Sequence, residues 1–179
     1  MKKTMILAIL ATLAIAFAGC SSSTSESSAA ASGGNTPAAT QGEGQAAGDG
    51  WVFENNGVQV TMNAPAAPII EKLGAYKSSY EAPSCAFDGM DVVYSYSGFD
   101  LLTYSAGGAE AKVSGVVLRD DTVETKEGLF IGSDKAAVES TYGKMEDGAN
   151  NLRITKGNCE LLVILTDGYV SSIQYIAKQ

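Results

Sequence analysis

The chain contains no histidine, and that absence removes whole classes of chemistry. Ser-His-Asp and Cys-His nucleophilic arrangements are excluded, as are histidine-ligated metal sites. Basic residues are also scarce: 12 Lys+Arg stand against 20 Asp+Glu, a net charge of -8 over 179 residues. Binding to nucleic acid, or electrostatic docking on anionic lipid, needs clustered Lys and Arg, so neither is expected. Serine is plentiful, yet no Gly-x-Ser-x-Gly or Ser-x-x-Lys places a nucleophile beside its base. Asp88-Gly89-Met90-Asp91 and Asp120-Asp121 lack the oxygen spacing of a calcium loop, and Asp-Gly is ordinary turn chemistry. No catalytic residue, metal ligand or cofactor is assigned on this basis, and the expected role is not enzymatic.

The N-terminus is more informative. Lys2 and Lys3 form a positive start, and Met5 to Phe17 is an apolar run interrupted by Thr12. The run falls short of the roughly 20 apolar residues that span a bilayer, so residues 1–19 read as a signal peptide. Phe17-Ala18-Gly19-Cys20 resembles the lipobox of bacterial lipoproteins, with Phe17 standing where an aliphatic residue is usual. That resemblance implies cleavage before Cys20 and a diacylglycerol on its thiol, which fixes the chain to the cell membrane on its extracytoplasmic face. Each buried acyl CH₂ adds about 0.8 kcal/mol, so such an anchor needs no basic patch. From Ser21 to Gly50 the chain is mostly Ser, Ala, Gly, Thr and Gln with a few acids, and no aliphatic residue larger than Ala. It cannot bury enough apolar surface to fold. Residues 20–50 are therefore expected to act as a lipidated, disordered tether reaching about 30 Å.

Residues 51–179 read as one α+β domain built from two tandem helix-plus-three-strand units, about 57–120 and 128–177. They are expected to form an antiparallel sheet with helices on one face. Gly57-Val58-Gln59-Val60 opens the first unit and Gly128-Leu129-Phe130-Ile131 the second, each as a short strand after a glycine. Helices are predicted over Ala66 to Leu73 and Lys135 to Tyr142, ending at Gly74 and Gly143. Pro65 and Pro68 suit the first turn of one, and Ser133 or Asp134 the N-cap of the other. A polar loop and three strands follow each helix: Asp91 to Ser97, Phe99 to Ser105 and Lys112 to Arg119, then Asn151 to Thr155, Cys159 to Thr166 and Tyr169 to Ala177. Asp167-Gly168 is a strong two-residue hairpin turn, and Gly107-Gly108 a looser one. The apolar set expected to face the helices is Val93, Leu101, Thr103, Val116, Leu118, Leu161, Val163, Leu165, Ile173 and Tyr175, although alternation alone leaves open which strand face is inward.

This tandem, entered each time through a Gly-aliphatic-x-aliphatic step, resembles the β-lactamase-inhibitor-protein-like fold. Small lipoproteins of outer-membrane assembly are similar, with a single such unit. The segments EAPSCAFDGMDVVYSYSGFDLLTY (Glu81 to Tyr104) and TKEGLFIG (Thr125 to Gly132) resemble poorly characterised lipoproteins of Gram-positive anaerobes. The likeness covers most of residues 57–176 and implies fold and location. No loop motif carries over the inhibitor family's binding residues.

Cys85 and Cys159 remain once Cys20 is lipidated. An even pair in an exported chain suggests a disulfide, and two unpaired thiols are the alternative. Tyr76, Tyr80, Phe87, Tyr94, Tyr96, Phe99 and Tyr104 concentrate aromatics in the first unit, where they either line the core or form a recognition surface. Tyr76, Tyr80 and Phe87 are the candidates for an exposed patch. The expected role is a protein-binding or scaffolding module whose partner is an envelope or secreted protein, an enzyme inhibitor being one form of it. A solute-capturing lipoprotein is the alternative, and a hydrolase would need a carboxylate or serine cluster assembled in a cleft.

Overall fold

The computed structural model describes residues 50–86 and 88–178. The expected signal peptide, Cys20, the expected tether up to residue 49 and Phe87 lie outside the described residues. The elements are β1 (Val52–Asn55), β2 (Val58–Thr61), α1 (Ala66–Leu73), β3 (Ser78–Pro83), β4 (Gly89–Ser95), β5 (Phe99–Ala106), β6 (Lys112–Leu118), α2 (Lys135–Tyr142), β7 (Asn151–Lys156), β8 (Cys159–Thr166) and β9 (Tyr169–Ala177). β3 to β9 form one seven-stranded antiparallel sheet in the order β3-β4-β5-β6-β9-β8-β7. β1 and β2 form a separate hairpin.

Local chemistry accounts for the boundaries. Asn56-Gly57 turns β1 into β2 with φ of 50° and 78°, and Asp167-Gly168 turns β8 into β9 with φ of 53° and 83°. Positive φ at both central positions gives the turn whose twist matches paired strands, and Asn-Gly and Asp-Gly are the dipeptides that tolerate it. The Asp134 carboxylate caps α2 by accepting from the Ala137 N–H at 2.7 Å. Ser133 instead accepts from the Phe130 N–H at 3.1 Å, holding the preceding loop.

The core lies between one face of the sheet and a layer made of the β1-β2 hairpin and the two helices. Phe53 supplies the centre: its ring lies 4.9 Å from Phe99 and 5.8 Å from Tyr175. Ile69 of α1, Val138 of α2 and Leu129 between them join Leu101, Val116, Leu161 and Ile173 of the sheet in one buried cluster. Burying such side chains contributes about 1.5–3 kcal/mol each, which is what holds two short helices in place. The Trp51 Nε1–H donates to the Ile154 carbonyl at 2.9 Å, tying the start of the hairpin to β7.

The expected architecture of two tandem helix-plus-three-strand units does not hold: the fold is mostly strand, with a seven-stranded sheet as its main element. Three departures explain the difference. Ser78–Pro83, read as a polar loop, is an additional edge strand, exposed along nearly its whole length. Gly128 to Ile131 is not the counterpart of β2. Thr125 and Leu129 close it into a tight loop, the Thr125 N–H donating to the Leu129 carbonyl at 2.8 Å and the Leu129 N–H to Thr125 Oγ1 at 3.1 Å. Finally, Val58 to Thr61 pairs with Val52 to Asn55 in a hairpin stacked on the sheet. Of the expected inward set, every member except Val93 is buried. Val93 pairs with Leu102, one residue out of phase with Leu101, so it belongs to the opposite face.

Candidate binding face

Antiparallel register assigns every strand residue to one of two faces, because directly paired side chains point the same way. Leu101 is fully buried in the core, so Leu102 and all residues in phase with it lie on the other face. One cross-strand row there runs Tyr80, Val93, Leu102, Gly115, Ile176, Glu160, Thr155. The next runs Ser78, Ser95, Asp100, Val117, Gln174, Leu162, Arg153. The helices and the β1-β2 hairpin pack on the other side of the sheet; in these rows Val93, Leu102, Val117 and Ile176 are half-buried, Asp100 and Leu162 are buried among their neighbours, and Tyr80 is 71% exposed.

The face has relief. A cleft of ≈ 400 Å³ opens over β4, β5 and β6, with Val93 and Leu102 among its lining, Ser84 and Ala86 from the β3-β4 turn, and Asp91, Tyr104 and Ser114. Ser114 is the extra residue of an irregularity where the β5-β6 register shifts. At Gly115 any Cβ would lie 2.8 Å from the Tyr175 carbonyl oxygen, so the row has no side chain at that point. Two ion pairs frame the apolar stripe. Arg119 reaches Asp100 at 2.5 Å, and Arg153 pairs with Glu160 across β7 and β8. The result is a shallow apolar groove edged by fixed charges of both signs.

The residues singled out in the sequence do not assemble into one patch. Tyr80 stands on this face at the edge of the sheet. Tyr76, 44% exposed, packs on the core side, its ring 5.1 Å from Tyr94 and 6.2 Å from Tyr96. Burial first, and then the neighbouring Tyr76, push the Tyr94 and Tyr96 hydroxyls above their ordinary pKa. Phe87 lies outside the described residues. Cys85 and Cys159 are both free, Cys85 exposed beyond β3 and Cys159 buried at the start of β8. Along the sheet order β3 and β8 are separated by β4, β5, β6 and β9. At about 4.8 Å per strand that is roughly 24 Å, far beyond the reach of a disulfide. Burial pushes the Cys159 thiol up to about 11. Among the described residues there is no group of three or more Asp, Glu or Cys side chains arranged to hold a metal ion.

The Val93-Leu102 row was not foreseen, although a signal for it exists. Val92-Val93 and Leu101-Leu102 are consecutive apolar pairs in strands, and a period-two element then carries apolar side chains on both faces.

No family model matches the chain, and no curated protein matches it. Among solved structures it is similar to an extracellular protein containing an SCP domain from Bacillus anthracis str. Ames, with a TM-score of 0.40 and 10% identity. The likeness covers 70% of this chain and 48% of that one, so the chain spans about half the length of the protein it matches.

Proposed function

We propose that this chain is a lipid-anchored extracytoplasmic protein whose folded part binds another protein of the cell envelope, or a secreted one, through the open face of its sheet. The observation that carries the reading is the apolar stretch Tyr80-Val93-Leu102-Ile176, set among polar and charged neighbours on the side of the sheet opposite the helices and the β1-β2 hairpin. A Tyr at the margin, aliphatic residues at the centre and charge pairs at the rim follow the usual anatomy of a recognition surface. Cys20 and the Ser/Ala/Gly-rich stretch after it supply the attachment and the reach, and a net charge of -8 leaves the acyl chain rather than basic residues to hold the membrane.

Capture from envelope extracts tests this. Val93→Lys and Leu102→Lys each place a charge in the groove without entering the core. A protein retained by the wild type and reduced at least ten-fold by either variant, with unchanged melting temperature, is the expected result. Equal retention by wild type and both variants contradicts it.

The cleft of ≈ 400 Å³ supports a second reading, capture of a small solute, because its size falls within the range of about 300–1,000 Å³ typical of ligand pockets. A metabolite that raises the melting temperature of the wild type but not of Leu102→Lys would favour it.

A further inference from the structure

We propose that two copies of this chain join edge to edge through β3, antiparallel, about a two-fold axis passing at Tyr80. β3 is a terminal strand of the sheet, and Ser78, Ser79, Tyr80 and Glu81 are all exposed. The phase of its free edge follows from one hydrogen bond. The Ser84 N–H donates to the directly opposed Gly89 carbonyl at 2.9 Å. Hydrogen-bonded and non-hydrogen-bonded pairs alternate in an antiparallel ladder, so Ser78, Tyr80 and Ala82 direct their backbone groups to β4. Ser79 and Glu81 therefore present both N–H and C=O outward.

This free edge is short and closed at both ends. Pro83 has no N–H to offer, and the Lys77 N–H already donates inward to the Ser95 carbonyl at 2.7 Å. What remains with both an outward donor and an outward acceptor is Ser79 and Glu81, placed symmetrically about Tyr80, a pattern complementary to itself. An antiparallel second copy centred on Tyr80 lets Ser79 exchange both backbone bonds with Glu81 of that copy, and Glu81 with its Ser79. No outward donor or acceptor in this stretch is left over.

Side-chain chemistry selects the same occupant. In this register Tyr80 meets Tyr80 in the closely spaced non-hydrogen-bonded pair, an aromatic cross-strand contact. Glu81 faces Ser79 of the second copy rather than another Glu81, so no like charges are directly opposed. The far edge, β7, carries Arg153 and Lys156 and would bring cations together if it paired with itself. A β3-to-β7 contact would leave an open edge at each end and grow without closing, whereas the β3 pair closes as a dimer. The arrangement is independent of which protein occupies the sheet face, and it would join two Tyr80-Val93-Leu102 rows into one longer surface.

Disulfide trapping in the full chain tests the proposal. In a Cys85→Ala background, Tyr80→Cys should form a covalent dimer on mild oxidation, since a non-hydrogen-bonded pair spaces its Cα atoms about 4.5 Å apart, within disulfide range. The background protein alone and Thr155→Cys on the opposite edge should stay monomeric. Ser79→Pro, which removes an outward N–H and leaves the bonds to β4 intact, should lower the Tyr80→Cys dimer at least ten-fold. A Tyr80→Cys protein that stays monomeric with an unchanged melting transition overturns the proposal. So do a dimer indifferent to Ser79→Pro, and a Tyr80→Cys adduct with a different protein, which would mark β3 as the docking edge for a foreign strand.

Discussion

The thiols of Cys85 and Cys159 are chemically unlike each other, and the difference comes from position alone. Cys85 is exposed in the β3-β4 turn, while Cys159 is fully buried with its pKa pushed up to about 11. The thiolate is the reactive form, so a raised pKa and burial both protect Cys159. Iodoacetamide at pH 8 should modify Cys85 in the native protein and reach Cys159 only on unfolding, as read by peptide mass. Rapid native labelling of Cys159, or loss of Cys85 labelling that reductant restores, would contradict this placement. Asp134 makes a comparable single-residue prediction. Its carboxylate satisfies an otherwise orphaned N–H at the start of α2, so Asp134→Ala should lower stability by about 1 kcal/mol in denaturant unfolding. Ser133→Ala should leave the helix cap intact.

At the scale of elements, what was legible and what was not separate along physical lines. Both helices and the strands β4 to β9 could be read because their signals are local: an Asp cap, a terminal glycine, an Asp-Gly turn, runs of β-branched and aromatic residues. β3 could not, because neither of its faces is buried and its residues SSYEAP carry no apolar alternation; only pairing with β4 makes it a strand. The β1-β2 hairpin carried the stronger unused signal, Asn56-Gly57 between Val52-Phe53 and Val58-Gln59-Val60. The apparent likeness of Gly57-Val60 to Gly128-Ile131 is one of composition. One segment pairs as a strand, and the other folds around Thr125 so that Leu129 enters the core. The candidate row is half visible in the sequence: Tyr80 stands out as an exposed aromatic, but Val93 falls on the face opposite to the one expected, since the alternation of two adjacent valines has no phase of its own. The hairpin should matter energetically out of proportion to its length. Phe53→Ala, removing a fully buried ring that touches Phe99 and Tyr175, should lower stability by about 3–5 kcal/mol in denaturant unfolding. Tyr80→Ala, at an exposed position, should change it by no more than about 0.5 kcal/mol.

At the scale of the whole molecule, address and activity depend on different stretches of chain. The sheet face and the β3 edge are properties of residues 50–178, whereas the location in which they would work rests on Phe17-Ala18-Gly19-Cys20. The proposed lipid anchor would confine the folded part to a surface, where a groove of modest area could hold a partner that it would lose in free solution, because tethering raises the effective concentration. The most direct measurement is the intact mass of the mature protein from cell membranes. The account predicts an N-terminus at Cys20 carrying a diacylglycerol, with the mass reverting to an unacylated and unprocessed form in Cys20→Ala. A mature protein that begins elsewhere, or that carries no lipid on Cys20, would contradict it.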